Sequence, residues 1–165
     1  MEKGGNLKPL ANRENHGCFG CSSTNAHGLR MKFFADDASL YSWLTVPNHL
    51  CGWDTLVHGG VIATILDETM GWTAIHFLKK YALTQSMNVE FLKPVQIGVE
   101  IRVEGKVTDV RGKREAAVEG YLYKGDNTLC AKAKGVFRLF TAEAIIRLGI
   151  MGEETISRFD FLIDP

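Results

Sequence analysis

His58-Gly-Gly-Val-Ile-Ala-Thr-Ile-Leu-Asp-Glu68, HGGVIATILDE, decides how this chain is read. It opens the longest helical pattern, from His58 to about Lys80, in which Ile62, Ile65, Leu66, Thr69, Trp72, Ile75 and Phe77 recur near helical spacing. Apolar residues cover much of the circumference, so the helix is expected to be buried on more than one side. Two adjacent carboxylates interrupt that pattern, and an ionised carboxylate buried without partners is costly. Consecutive helical residues point about 100° apart, so Asp67 and Glu68 face different surroundings. Asp67 shares its face with Ala63, Met70, Gly71 and Ala74, Glu68 with Thr64 and Trp72. Asp67 is therefore expected to be the desolvated, reactive carboxylate, and Glu68 its structural or solvated neighbour.

Gly59-Gly60 at the helix start suits a tight turn, and it also lets a ligand approach the backbone closely. The free N–H groups and positive dipole end of a helix N-terminus favour negative charge there, such as a carbonyl oxygen becoming an oxyanion. Gly59 and Asp67 are nonetheless about 12 Å apart along the helix. Groups acting on one acyl carbon each lie within about 3–3.5 Å of it. The two residues of one helix therefore serve different carbonyls. A second copy of the helix, running antiparallel alongside, would bring them together, which predicts a homodimer with two sites at its interface.

Around the helix the pattern is one of strands. LRMKFFA (29–35) and SLYSWLTV (39–46) precede it, joined by Asp36-Asp37, with a loop over 47–57. LTQSMNVEFL (83–92), VEIRVEGKVTDV (99–110), REAAVEGYLY (114–123) and TLCAKAKGVFRLF (128–140) follow, separated by glycine-, proline- and asparagine-containing turns. Alternation such as Val99, Ile101, Val103 against Glu100, Arg102, Glu104 marks an antiparallel sheet with one covered face. TAEAIIRLG (141–149) reads as a short capped helix within a C-terminal extension over 141–165, and residues 1–15 as a loose arm. The fold class is α+β, a single domain over 1–165, with one long helix against six antiparallel strands.

The chain's 165 residues hold equal numbers of basic and acidic side chains, 19 each, so no broad footprint for nucleic acid or anionic membrane follows. The opening MEKGGNLKPLANREN has no apolar h-region, and no run of about 18 apolar residues occurs. A cytoplasmic protein with Cys18, Cys21, Cys51 and Cys130 as reduced thiols is expected.

With these residues in view, HGGVIATILDETMGW resembles hotdog-fold acyl-CoA thioesterases of the 4-hydroxybenzoyl-CoA and phenylacetic-acid-degradation (PaaI-like) group. CFGCSSTNAHGLRMKF (18–33) and TQSMNVEFLKPV (84–95) extend the resemblance over most of the chain. It implies a long helix wrapped by an antiparallel sheet and paired into a dimer, often a dimer of dimers. By resemblance, Asp67 is the general base or nucleophile, Gly59 supplies the backbone N–H that polarises the thioester carbonyl, His58 begins that turn, and Thr84 helps orient water. One departure stands out. Some members carry Asn or Gln six residues before the His, where this chain has Gly52, leaving Asn48 or Asp54 as substitutes.

Other candidates are weaker. Trp53 precedes the catalytic turn and could shape an acyl pocket together with Gly60, whereas Trp72 reads as packing. Arg111, Lys113 and Arg114 crowd one hairpin with Lys106 leading to it, a solvated turn or a hold for nucleotide phosphates. His16-x-Cys18-x-x-Cys21, with His27 beyond, has spacing that could supply zinc ligands, but a lone CxxC is a weak pattern and no metal or other cofactor is expected. The expected function is hydrolysis of acyl-CoA to free acid and coenzyme A. The alternatives are a non-catalytic acyl-CoA-binding hotdog module and, less favoured, a hydroxyacyl-thioester dehydratase.

Overall fold

The computed structural model describes residues 7–13, 15–159 and 163. Strands β1 (Lys8–Pro9), β2 (Phe33–Ala35) and β3 (Leu40–Thr45) come first, then a small hairpin of β4 (Cys51–Trp53) and β5 (Leu56–Val57). Helix α1 (Gly59–Leu78) follows, and after it β6 (Tyr81–Phe91), β7 (Glu100–Arg111), β8 (Glu115–Lys124) and β9 (Leu129–Phe140). Two short helices, α2 (Ala142–Arg147) and α3 (Glu153–Ser157), come last. The main sheet has seven strands in the order β1-β2-β3-β7-β8-β9-β6, each antiparallel to its neighbours. This is the hotdog arrangement: α1 touches β3, β6, β7, β8 and β9, so the sheet curves around the helix.

Alternation explains the covered face. In β8, Ala116, Val118, Gly120 and Leu122 turn inward while the residues between them stay partly exposed. In β9, Ala131, Ala133, Gly135, Phe137 and Leu139 do the same. Ile65, Leu66 and Met70 of α1 and Val103, Val118, Leu122 and Phe137 of the sheet are wholly buried in one cluster. Each such side chain contributes roughly 1.5–3 kcal/mol relative to an exposed one.

The helix lies close to the sheet because the central strands lack side chains beneath it. Gly105 of β7 pairs directly with Gly120 of β8. A Cβ at 105 would be driven into Thr73 Oγ1, and one at 120 would stand 3.0 Å from Met70 Cγ and 3.2 Å from Leu66 Cδ2. Thr69 and Thr73, both buried, satisfy their hydroxyls by donating to the carbonyls of Ile65 and Thr69 one turn earlier. A polar hydroxyl thereby sits at the seat without an unmet donor.

The ends of α1 are fixed locally. His58 is the N-cap, its ring accepting from Gly60 N–H, and Lys79 closes the other end at φ +52° while donating its N–H to Ile75 O. Only Lys79 and Lys80 link the helix to β6. Among the described residues no helix is long and apolar enough to cross a membrane.

Three expectations are corrected. The main sheet has seven strands rather than six, the extra one being β1. Part of the expected loose arm is fastened: Leu10 donates its N–H to Phe33 O, and Asn12 Nδ2 donates to Cys21 O. Residues 1–6 and 14 of that arm, and 160–162 and 164–165 of the C-terminal extension, lie outside the described residues. The expected loop over 47–57 contains the β4–β5 hairpin, a two-residue connection at Asp54-Thr55 that short strand patterning did not reveal.

Gly105→Ala is expected to lower the free energy of unfolding by about 1–3 kcal/mol, with Thr73→Ala in the same chain recovering part of that loss. Denaturant melts of the two single variants and the double variant measure this. Additive losses would show that the helix is not seated on this glycine.

Candidate active site

Helix α1 carries one half of the expected machinery at its start and the other in its middle. At the start, His58 Nδ1 accepts from Gly60 N–H at 2.9 Å, and His58 O accepts from Val61 and Ile62 N–H. With Nδ1 accepting, the neutral ring carries its proton on Nε2. Gly59 N–H has no hydrogen-bond partner among the described residues and faces an open cavity of about 300 Å³ lined by Ile62, Phe91 and Pro94. The Phe91 ring borders it, 3.7 Å from where a Cβ at 59 would stand. Three donors of this turn are thus used internally, and the Gly59 N–H is left for a ligand.

In the middle, Thr84 of β6 donates its hydroxyl to Asp67 Oδ1 at 2.7 Å. The strand is bulged at this point: Thr84 pairs with Phe137 and Ser86 with Val136, leaving Gln85 as the extra residue. Bulges of this kind re-aim side chains and are common beside functional groups. Asp67 and Thr84 open onto a second cavity, about 250 Å³, walled by Trp72, Ile75, Phe137 and Met151. Asp67 and Gly59 of one chain therefore line different cavities, in keeping with their separation of about 12 Å along the helix.

The assignment of the desolvated carboxylate is reversed. Glu68 is the one drawn out of water, and burial pushes its carboxyl up to about 7 against hydrogen bonds from Cys21 and Trp72. Trp72 Nε1 donates to Glu68 Oε1 at 3.2 Å, and Cys18 Sγ approaches the same oxygen at 3.7 Å. Gly20 lies against the carboxyl, with no room there for a Cβ. The reason is the 16–21 loop, which covers the Glu68 face of the helix; helical periodicity alone contains no information about what lies over each face. Trp72 also packs as expected, stacking on Phe33 with ring centroids 4.7 Å apart.

The remaining candidates scatter. Trp53 is 81% exposed on the β4–β5 hairpin. Gly52 packs on His58, a Cβ there standing 3.0 Å from His58 Cα, so this backbone has little room for the longer residue some relatives place at that position. Asn48 and Asp54 are exposed, and their side chains make no hydrogen bond among the described residues. Arg111 is not free to hold a phosphate as it stands: it is paired with Asp109 at 2.9 Å and Glu115 at 3.3 Å. Arg114 instead lines a cavity of about 550 Å³ with Lys80, Lys113, Arg138 and Arg147, none of which adjoins another in sequence except the Lys113–Arg114 pair. Sequence reading missed Lys80, Arg138 and Arg147 because sheet and helix termini bring them together. The H-x-C-x-x-C donors also converge, with ligand atoms of His16, Cys18 and Cys21 within 4.8 Å of one another, while His27 stays exposed outside the group.

A helix wrapped by an antiparallel sheet, with an acidic residue in mid-helix and an open backbone donor at its start, defines a class, and the comparisons agree with it. Residues 55–131 match the family model described as the thioesterase superfamily. A candidate esterase of Thermoplasma volcanium, TV1331, is 32% identical over 94 residues, which span 56% of this chain and 69% of that protein. The acyl-coenzyme A thioesterase THEM4 of rat is 33% identical over 66 residues, spanning 40% of this chain and 28% of that one. A solved structure of a hypothetical thioesterase protein from Streptococcus pneumoniae with coenzyme A superposes with a TM-score of 0.59 at 16% identity, over 64% of this chain and 80% of that one. The chain belongs to the thioesterase superfamily. It spans about half the length of two further relatives, 53% and 56%.

His58→Ala is expected to cost about 1 kcal/mol of stability through loss of the cap, and His58→Asn to restore most of it. Thermal melts of the two variants check this, and identical melting temperatures for wild type and His58→Ala would remove the cap from the account.

Proposed function

We propose that this protein hydrolyses an acyl-CoA thioester to the free acid and coenzyme A, with each active site shared between two chains. The observation that carries the reading is the 2.7 Å hydrogen bond from Thr84 to Asp67 in a walled cavity, set a little over two helical turns, about 12 Å, from an unused Gly59 N–H. Thr84 occupies Oδ1 of Asp67, leaving Oδ2 to take a proton from water or to attack the acyl carbon itself. In either route negative charge grows on the thioester oxygen, and a fixed backbone N–H at a helix N-terminus stabilises it without reorganisation. The thiolate of coenzyme A leaves, and water supplies the oxygen of the acid.

The geometry of β6 supports a homodimer. Strand β6 ends the sheet, with no strand on its outer side among the described residues, and Leu83, Phe91 and Leu92 are exposed along or just past it. Two β6 edges pairing antiparallel about a twofold axis carry the Thr84 end of one strand towards the Phe91 end of the other. Asp67 of one chain then approaches Gly59 of its partner. The same pairing removes an eleven-residue edge that would otherwise template non-specific association. The rat thioesterase and the coenzyme A-containing structure support acyl-CoA as the substrate class. The basic cavity at Arg114 suits the nucleotide phosphates, and Trp53 and Phe91 suit the acyl chain or its approach.

Asp67→Asn is expected to reduce kcat by about 10²–10⁴ with the dimer intact by sedimentation; near wild-type turnover would remove Asp67 from the mechanism. Gly59→Pro is a clean partner variant. Proline is accepted at the first helical position, His58 before it is already extended at ψ 136°, and the N–H is lost. Mixing the Asp67→Asn and Gly59→Pro chains by denaturation and refolding should restore roughly a quarter of wild-type activity, because half the dimers then hold one intact site. No recovery, with subunit exchange verified, would contradict the shared site. Binding of acyl-CoA without turnover across short, medium, long and aryl chains would instead favour a carrier or sensor.

Arg114→Glu is expected to raise KM for acyl-CoA with little change in kcat, since it alters binding remote from the reacting atoms. A KM unchanged in Arg114→Glu would place the phosphates elsewhere.

A further inference from the structure

The thioesterase reading uses Asp67, Gly59 and Thr84 and leaves an organised cluster beside Asp67, bordering the same cavity, without a role. His16, Cys18 and Cys21 place their ligand atoms within 4.8 Å of one another. Cys18 Sγ and Cys21 Sγ are 3.6 Å apart, and Cys18 Sγ and Glu68 Oε1 3.7 Å. Thiolates on one tetrahedral zinc, each about 2.3 Å from the metal, stand about 3.8 Å apart, and a thiolate and a carboxylate oxygen about 3.6 Å. A disulfide would require about 2.05 Å. Two spacings, Cys18–Cys21 and Cys18–Glu68, have the length of a coordination tetrahedron's edge, and His16 lies within 4.8 Å of both sulfurs.

The donors are also prepared. His16 Nε2 is buried with no hydrogen-bond partner; zinc on this nitrogen moves the ring proton to Nδ1 and gives up the long 3.4 Å bond that Nδ1 accepts from Cys18 N–H. Buried polar atoms are nearly always paired, so an orphaned imidazole nitrogen beside two thiols needs a reason. The Cys18 thiol is held down to about 5, first by the hydrogen bond from Cys21 and then by the backbone N–H groups of Cys21 and Gly20, against burial. Cys21 is pushed up by its hydrogen bond to Cys18 and by burial.

The loop that presents these groups is tied down from several sides. Ser22, wholly buried, donates its hydroxyl to His16 O and accepts from Thr24 and Asn25 N–H. Leu29 N–H bonds Phe19 O at 2.9 Å, Met31 N–H bonds Gly20 O at 3.0 Å, and Asn12 Nδ2 bonds Cys21 O at 2.8 Å. Gly20 leaves the Glu68 carboxyl room to face the sulfurs.

We propose that His16, Cys18 and Cys21, with Glu68 facing the fourth position, bind one zinc ion that staples the 16–21 loop to helix α1 beside Asp67. Two sulfurs, one imidazole nitrogen and one carboxylate in a tetrahedral set select zinc over hard cations such as magnesium or calcium. The metal replaces the protons of both thiols and of Glu68. It joins an element early in the chain to the middle of the helix, so its contribution is to stability and to the placing of the residue next to it.

The test uses the full chain freed of any polyhistidine tag, prepared under reducing conditions from zinc-supplemented growth without chelators. Elemental analysis is expected to give about one zinc per chain. A Cys18→Ser/Cys21→Ser variant should hold almost none. Chelation of the wild type should lower its melting temperature, and zinc should restore it. The reduced, metal-stripped wild type should take up cobalt with thiolate-to-metal charge-transfer absorption and the intense visible bands of a tetrahedral site, a measurement that needs no variant. Glu68→Gln should weaken zinc binding about tenfold or more. Wild-type protein that takes up no zinc and shows no cobalt–thiolate absorption overturns the site. An intact Cys18–Cys21 disulfide, found after thiol blocking at cell lysis, overturns it in favour of a redox pair. Unchanged affinity in Glu68→Gln overturns the four-donor set.

Discussion

Everything in this molecule depends on how closely α1 lies on the sheet. Gly105 and Gly120 leave a shallow place between β7 and β8, and Thr69, Thr73, Leu66 and Met70 fill it. That contact fixes the height and rotation of a helix whose apolar residues run most of the way round. With rotation fixed, Asp67 points to β6 and Glu68 to the 16–21 loop, about 100° apart on the helix. One degree of freedom, removed by the absence of two side chains, decides which carboxylate meets a hydroxyl and which meets thiols.

The two acids then have opposite chemistry from nearly the same backbone position. Asp67 is exposed to a cavity and supported by one hydroxyl. Glu68 is covered, and burial holds its proton to about pH 7. The contrast comes from the covering loop, since both residues share one helix and its dipole. Adjacent carboxylates in an apolar helix are therefore a way to supply two environments from one rigid element.

Much of this was legible in the sequence, and the failures are instructive. The helix from His58 and the long strands after it were evident because their periods are regular over ten residues or more. Thr84 was singled out by resemblance as a residue that orients water; its hydrogen bond to Asp67 emerged only with the fold. Strand β1 and the β4–β5 hairpin, two or three residues per strand, were not evident, because so short a run contains no period to detect. The choice of Asp67 rather than Glu68 as the desolvated carboxylate came from judging exposure by the helix's own faces. The quoted CFGC segment held the missing information: two thiols and a glycine in four residues describe a tight turn that must lie on something. The basic cavity at Arg114 was half visible, since Lys80, Arg138 and Arg147 lie far apart in the chain.

The link between α1 and β6 has a consequence for what this chain can tolerate. Lys79 and Lys80 alone turn the chain back, and Lys79 already adopts a left-handed conformation to do so. There is no slack in which an extra residue could be absorbed. Because side chains alternate along a strand, one inserted residue would exchange the two faces of β6 up to the bulge, turning Thr84 away from Asp67. The tolerance of this segment is therefore a matter of length before it is one of composition. Any residue able to make the reversal could stand at 79 or 80, yet an added one would disconnect a hydrogen bond in the site without altering a single residue that forms it.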